Sequence, residues 1–112
     1  MILRLLLPLA SFASPIVGVG LGLEEKNHQV LVQEVFANTP ASRNGAIQVG
    51  DHILAVRPSP HDPLGWLSVR DLNVDEVVQL VHGEVGVEVG LRLEGARGKY
   101  QVQIPRETIE AP

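Results

Sequence analysis

The sequence predicts an α+β domain in which short antiparallel strands are covered by two helices. Apolar and β-branched residues alternate in short segments separated by turn residues, which is typical of antiparallel strands. Two further segments begin with helix-capping residues and end at a glycine. With 112 residues, of which 45% are hydrophobic and only 4% aromatic, the chain is long enough for one mainly aliphatic core.

The strands are expected to form hairpins. A strand beginning at Leu21 pairs with residues 29–36 across a turn at Asn27 and His28. Towards the end of the chain, alternation in two segments predicts a hairpin connected by residues 94–99. The predicted strands after Leu21 lie within residues 29–36, 49–56, 66–70, 87–93 and 100–104. Residues 57–65 contain three prolines and are expected to form an exposed loop.

The first predicted helix is short. Asn38 and Thr39 precede Pro40, which favours the first helical turn, and Gly45 is expected to end the helix after one to two turns.

The second predicted helix is amphipathic. Asn73 and Glu76 form a capping-box pattern at its start, and Gly83 is expected to stop it. Its apolar residues recur at helical spacing, but the stripe that they form is broader than a single packing face requires. We therefore expect Val77 and Leu80 to enter the core and the other valines to line an adjacent surface. Those valines are Val74, Val78 and Val81.

Residues 17–23 alternate glycine with apolar residues. Gly18 and Gly20 allow the backbone to point consecutive N–H groups at one place, where they can bind an anion. Leu21 and Leu23 then leave the loop on one face of a strand. Two interpretations stay open at this point. The loop is either an irregular entry into a strand, or it binds the terminal carboxylate of a peptide that adds a strand to the sheet edge.

Charge and composition restrict the functional classes. The net charge of -4 at pH 7 and the scattered Lys and Arg residues argue against nucleic acid as a partner. The absence of cysteine excludes disulfides and thiolate chemistry. The four histidines lack metal-ligand spacing, so we expect no metal and no cofactor. Ser59, His61 and Asp62 are neighbours in sequence, which does not predict a catalytic triad, and we assign no catalytic residue.

Residues 1–15 form an apolar N-terminal segment. It is too short and too interrupted to span a bilayer, which requires roughly 20 apolar residues. Three interpretations are compatible with it: a first strand or short helix, a remnant of a targeting signal or preceding domain, and an apolar arm that docks a partner.

Residues 39–56 resemble the signature of PDZ domains. The pattern is a Pro-Ala helix start at Pro40, then a Gly-Asp turn ending at Asp51 and an Ile-Leu strand. The helix from Asn73 with its Gly-x-x-Gly ending, and residues 105–109, are similar to the carboxyl-terminal processing peptidases, which include the tail-specific proteases.

This resemblance covers residues 16–109 and leaves 110–112 as a tail. It implies a PDZ-like fold, a small antiparallel β-barrel or sandwich of five to six strands capped by two helices.

The resemblance also implies a peptide site. Gly18, Val19, Gly20 and Leu21 match the carboxylate-binding loop of the family. The groove for the peptide would be lined by Leu21, Leu23, Val74, Val78 and Val81. The alternative for each of these residues is that it belongs only to the hydrophobic core.

Two positions depart from the family pattern. Many PDZ domains place a histidine at the position of Val74, but a valine cannot donate a hydrogen bond, so an apolar ligand residue is expected there. Many also place a basic residue shortly before the glycine loop to assist with the carboxylate. Here the nearest upstream basic residue is Arg4.

The resemblance implies capture of C-terminal or extended peptides with apolar ends by β-augmentation. In the related peptidases a Ser nucleophile and a Lys base lie in a separate domain, so we expect this chain not to be an enzyme by itself. It would be the substrate-recognition module of an exported or periplasmic serine peptidase, with the parent protease domain as its partner. Two alternatives stay open: a scaffolding PDZ domain without a protease, and a groove occupied by the N-terminal segment.

Overall fold

The computed structural model describes residues 15–110, and in that range eight strands and two helices are present. The strands are β1 (Ile16–Gly18), β2 (Leu21–Lys26), β3 (Gln29–Val35), β4 (His52–Arg57), β5 (Leu67–Ser68), β6 (Glu88–Gly95), β7 (Gly98–Pro105) and β8 (Glu107–Ile109). The helices are α1 (Pro40–Asn44) and α2 (Val74–Val81). The three interpretations of the N-terminal segment fall on residues 1–14, outside the described residues.

Antiparallel pairing joins the strands into one main sheet and one ribbon. The main sheet has the order β2-β3-β4-β6-β7, and β5 pairs with β4. β1 and β8 form a separate two-stranded ribbon. This confirms the antiparallel α+β class with two helices, although the sheet is open rather than a closed barrel. Because β2 ends the main sheet, one of its edges has no strand partner among residues 15–110.

Both predicted hairpins are present. Asn27 and His28 connect β2 to β3 with φ values of 53° and 63°, the left-handed conformation of a two-residue hairpin turn. β6 and β7 remain paired as far as Gly95 and Gly98, so only residues 96–97 form the connection, rather than the predicted 94–99. The strand predicted at 66–70 is reduced to β5.

The start of each helix follows its capping residues. The Thr39 side chain accepts a hydrogen bond from the Ser42 N–H at 3.4 Å, and Gly45 ends α1 in the left-handed conformation. At α2 the capping box is complete, with the Glu76 N–H 2.8 Å from Asn73 Oδ1 and the Asn73 N–H 2.9 Å from Glu76 Oε1.

The end of α2 is held by a residue distant in sequence. The helix ends at Val81, and His82 already has the extended conformation, with φ −74° and ψ 159°. Gly83, the predicted stop, is the second residue after the helix and does not have a positive φ. The guanidinium of Arg106 binds the last helical carbonyls instead, with Nε 2.8 Å from the Val81 oxygen and Nη2 3.0 Å from the Leu80 oxygen.

The core is aliphatic, as the composition predicted. α2 packs against β2 and β4, and Val77 is fully buried between them and the rest of the sheet. The buried apolar side chains are those of Val19, Val30, Val32, Ala41, Ile47, Ile53, Val56, Val69, Val77, Val81, Val89, Leu91, Leu93, Val102 and Ile104. No helix within residues 15–110 is long and apolar enough to cross a membrane.

Candidate functional site

The glycine loop between β1 and β2 is anchored by its carbonyl groups. The Val17 oxygen accepts a hydrogen bond from the Gly83 N–H at 3.1 Å, which ties the loop to the segment after α2. The Val19 oxygen accepts from the Ala41 N–H at 2.8 Å, and the Gly20 oxygen accepts from the Phe36 N–H at 2.9 Å. The loop is therefore fixed by α1, β3 and the end of α2.

This anchoring fixes the direction of two N–H groups in the loop, those of Gly20 and Leu21. All peptide bonds within residues 15–110 are trans, so each N–H points opposite to the carbonyl of the preceding residue. The Gly20 and Leu21 N–H groups consequently point away from Ala41 and Phe36. Within the described residues, the N–H groups of Val19 and Gly20 donate to no backbone acceptor. Free N–H groups grouped in a turn can bind a carboxylate.

Gly20 is required by the shape of this loop. Its φ is +92°, a conformation that side-chain-bearing residues rarely adopt. An added Cβ would lie 2.6 Å from Thr39 Cγ2 and closer still to the Thr39 Cβ and Oγ1. Thr39 is only 6% exposed, and its hydroxyl donates to the Phe36 oxygen at 2.7 Å. The α1 cap and the glycine loop therefore lie in direct contact.

β2 presents its open edge directly after the loop. Because the Gly20 carbonyl faces β3, alternation along the strand directs the N–H and C=O of Leu21 and Leu23 to the opposite, open edge. A bulge between Gly22 and Leu23 displaces the pairing with β3 but leaves both leucines half-buried against the core. The edge can thus accept a further strand while the leucine side chains cover the core.

The predicted groove residues on α2 fall into three environments. Val81 is 4% exposed and belongs to the core, so little of its surface is available to a ligand. Val74 is half-buried and packs against that core, as does Leu80, which was predicted to enter it. Val78 is half-buried without belonging to the group that packs against the core. Leu21, Leu23, Val74 and Val78 are thus all half-buried, and Val78 alone of these four does not pack against the core.

Sequence reasoning did not assign two residues near the end of α2: His82, which contacts the loop, and Arg106, which binds the helix end. An ideal Cβ on Gly18 would lie 2.9 Å from His82 Cδ2, so the imidazole ring covers the first loop residue. Arg106 is 2% exposed and donates three hydrogen bonds, the third from Nη1 to the Val87 oxygen at 3.2 Å. A sequence signal for Arg106 existed, because it continues the inward, period-two positions 100, 102 and 104 of β7.

The protonation of both residues is affected by this packing. Burial lowers the pKa of His82, and the nearby positive charge of Arg106 lowers it further. Burial also lowers the pKa of Arg106, while the Glu84 carboxylate acts in the opposite direction. The imidazole is thus biased towards its neutral form beside the loop when no peptide is bound.

The other polar groups that the sequence offered have local contacts. Asp62 takes part in a local turn, where its Oδ1 accepts from the Leu64 N–H at 2.8 Å and its own N–H donates to the Ser59 oxygen at 3.2 Å. His52 lies 3.6 Å from Glu94. Within residues 15–110 no three His, Asp or Glu side chains are grouped in a way that could hold a metal ion.

A separate depression of about 690 Å³ lies between the α1–β4 connection and the β6–β7 turn. Its lining includes Asp51, whose carboxylate accepts from the Tyr100 hydroxyl, and Arg97 and Lys99 from the turn. It shares no lining residue with the loop or groove described above.

Comparison with known proteins gives consistent results. The family pattern of the PDZ domain matches residues 14–94. The carboxy-terminal processing protease CtpA of Bacillus subtilis (strain 168) is 33% identical over 93 residues, which are 82% of this chain and 18% of that protein. A probable CtpA-like serine protease of Staphylococcus aureus (strain COL) is 32% identical over 93 residues, 83% of this chain and 17% of that protein.

Two solved structures share the fold. The PDZ domain of the carboxy-terminal protease from Vibrio cholerae, in complex with peptide, superimposes with a TM-score of 0.77 and 27% identity, covering 88% of this chain and 100% of that one. The photosystem II D1 C-terminal processing protease gives a TM-score of 0.73 with 21% identity, covering 92% of this chain and 26% of that one. The chain therefore spans less than a fifth of the length of the two protease sequences it matches.

Proposed function

Because the chain belongs to the PDZ domain family and matches the PDZ part of carboxy-terminal processing proteases, we propose that it captures peptide C-termini as the substrate-recognition module of such a protease. The observation that carries the proposal is the glycine loop. Its carbonyls are bound inside the protein, and the N–H groups of Gly20 and Leu21 point away from those hydrogen-bond partners at the start of an open strand edge.

The terminal carboxylate would bind the N–H groups of Val19, Gly20 and Leu21. The peptide then extends antiparallel to β2 and forms main-chain hydrogen bonds with its open edge. Its last side chain would contact Leu21, Leu23 and Val78. The PDZ domain of the Vibrio cholerae protease was solved with a peptide bound, which supports this use of the fold.

Selectivity would be for apolar C-terminal residues. The side chains that border the groove are aliphatic and offer no hydrogen bond to a polar ligand side chain. Peptide capture would deliver the substrate chain to a protease domain of the parent protein, in an exported or cell-envelope location. One added strand and one small pocket predict a modest affinity, with a Kd of about 1 μM.

A titration tests the proposal. A fluorescent, N-terminally blocked peptide ending in Val-Ala-Ala is compared with the same peptide amidated at its C-terminus. We expect the amide to bind at least about tenfold more weakly, because it loses the charge-assisted hydrogen bonds. Equal affinity of the two peptides would contradict a role for the loop in carboxylate binding.

The groove is tested by a matched pair of variants on α2. Val78→Lys places a charge beside the proposed ligand side chain, whereas Gln79→Lys places the same charge on the exposed neighbouring position. We expect Val78→Lys to weaken peptide binding about tenfold or more and Gln79→Lys to change it less than about twofold. Similar effects of both substitutions would argue against the groove between β2 and α2.

A further inference from the structure

The carboxylate site lacks the upstream basic residue that the family often provides, but the structure places a titratable cation beside the loop from another part of the chain. The His82 ring covers Gly18, with Nε2 3.5 Å from the position of an ideal Cβ on that glycine. His82 follows α2 directly, and the next residue, Gly83, is hydrogen-bonded to the strand that leads into the loop. The backbone is therefore fixed on both sides of His82.

We propose that His82 is part of the carboxylate site and takes up a proton when a peptide carboxylate binds to the glycine loop. The proposal rests on the peptide-binding function proposed above. His82 would thus provide the positive charge near the carboxylate that no basic residue shortly upstream of the loop provides. Because the charge of an imidazole depends on pH, the affinity for free C-termini would depend on pH as well.

The neighbouring charges determine the direction of this effect. Arg106 approaches His82 from the segment between β7 and β8, and its positive charge opposes protonation of the imidazole. Glu84, which follows in the chain, acts on Arg106. Glu107 pairs with Gly18 across the ribbon, but its carboxylate forms an ion pair with Arg43. The free site thus favours neutral His82, and a bound carboxylate adds the negative charge that reverses this preference.

Arg106 itself cannot supply the pH dependence. Its guanidinium is engaged with three carbonyl oxygens at and after the end of α2 and remains charged throughout the accessible pH range. It contributes a constant positive potential, whereas the imidazole changes its charge near neutral pH.

The size of the effect follows from Coulomb's law. The loop N–H groups and the imidazole both adjoin Gly18, so a bound carboxylate lies on the order of 5–10 Å from the ring. At this distance, with solvent nearby, the carboxylate raises the pKa of His82. The resulting increase in peptide affinity on going from about pH 8 to about pH 5 is expected to be about 3- to 10-fold. Proton uptake and peptide binding are reciprocal, so each can be measured from the other.

The experiment measures the affinity ratio of the free-acid and amidated Val-Ala-Ala peptides at about pH 8 and about pH 5. Both peptides are acetylated, and the terminal carboxylate stays ionised over this range. We expect the acid-to-amide ratio to rise about 3- to 10-fold in the wild-type protein and to stay constant in His82→Gln. His61→Gln, which removes an exposed histidine from the 57–65 loop, is expected to behave as wild type.

A second measurement does not depend on a variant. The His82 imidazole is titrated by NMR in the wild-type protein, with and without saturating free-acid peptide. We expect its pKa to rise on binding by an amount that accounts for the change in affinity, and to rise less with the amide.

The outcomes separate this inference from the proposed function. If the acid is preferred at about pH 8 but the ratio does not change with pH, or changes equally in His82→Gln, peptide capture stands and the role of His82 is refuted. An unchanged pKa of His82 on binding would also refute it. If the wild-type protein never prefers the acid, the carboxylate site itself is wrong, and the inference fails with it.

Discussion

Gly20→Ala tests the conformation of the loop, with Gly98→Ala as its matched control. Gly20 and Gly98 have similar φ values of +92° and +103°, so alanine introduces comparable backbone strain at both positions. Their surroundings differ. No heavy atom lies within 4 Å of an ideal Cβ on Gly98, whereas a Cβ on Gly20 would overlap the Thr39 side chain.

The two substitutions are therefore expected to destabilise the protein by different amounts. Left-handed backbone strain costs about 1–2 kcal/mol for an alanine, and Gly98→Ala should lose that amount of unfolding free energy. Gly20→Ala adds the displacement of a buried threonine that caps α1 and donates to the Phe36 oxygen. Overpacking of this kind costs about 1–3 kcal/mol, which brings the total to about 2–5 kcal/mol.

Urea unfolding followed by circular dichroism measures both losses. With a slope of about 1.5 kcal/mol per M, the additional overpacking separates the two midpoints by about 0.7–2 M. Thr39→Gly removes the atoms with which the new Cβ collides and retains an acceptable N-cap residue. The penalty of Gly20→Ala should then be smaller in the Thr39→Gly background than in the wild type.

Two results would refute this reasoning. The overlap with Thr39 would be irrelevant if Gly20→Ala destabilised the protein no more than Gly98→Ala. The same conclusion would follow if Thr39→Gly did not reduce the penalty of Gly20→Ala.

Three further predictions concern packing outside the loop. Arg106→Met should lower the unfolding free energy by about 2–4 kcal/mol, because it leaves the last carbonyls of α2 unpaired, and Arg106→Lys should lower it less. If Arg106→Met were as stable as the wild type in urea, the role of Arg106 at the helix end would be refuted. Burial and the Asp51 carboxylate raise the pKa of Tyr100. The contribution of Tyr100 to the unfolding free energy is therefore complete below the ordinary tyrosine pKa of about 10 and is lost as pH rises above that value. Tyr100→Phe should flatten the alkaline decline of stability, and an unchanged slope would contradict the raised pKa. In Gly90→Ala, a Cβ 2.7 Å from Trp66 Cη2 should displace the indole and shift the fluorescence of this single tryptophan, whereas an unshifted spectrum would show that the ring does not pack there.

Local sequence signals predicted the features that depend on a few neighbouring residues. The Asn73 and Glu76 capping box forms between residues three positions apart, and both of its hydrogen bonds are present. The turn at Asn27 and His28 likewise needs only two residues in the left-handed conformation between alternating strands. Such features are encoded within one turn of chain, so the sequence was sufficient for them.

The roles of several glycines could not be predicted in the same way. Gly83 was expected to stop α2 and does follow its end, but the structure gives it a further role, since a Cβ there would lie 2.7 Å from Arg106 Cζ and Nε. The position requires a small residue because a guanidinium distant in sequence passes close to the backbone. A rule based on local spacing places such a glycine at the end of a helix but does not reveal this tertiary reason for a small residue.

The same limit applies to the candidate site. The glycine loop and the apolar helix face were visible as patterns, whereas His82 contacts the loop, and Arg106 binds the helix end, only through the tertiary fold. Burial also divided the valines of α2, since Val81 lies in the core although its helical spacing resembled that of Val78. Periodicity defines a face of a helix but not how deeply each residue of that face is covered.

The loop, the end of α2 and the β1–β8 ribbon depend on one another. Gly18 in β1 pairs with Glu107 in β8, and Val17 accepts a hydrogen bond from Gly83 immediately after α2. Arg106 precedes β8 and binds the carbonyls at the end of the same helix. A substitution that weakens any of these contacts should therefore move the loop N–H groups and lower the affinity for peptides without touching the ligand. Conversely, a peptide carboxylate bound to the loop should stabilise the helix end and the ribbon against unfolding, because ligand binding and local stability are linked.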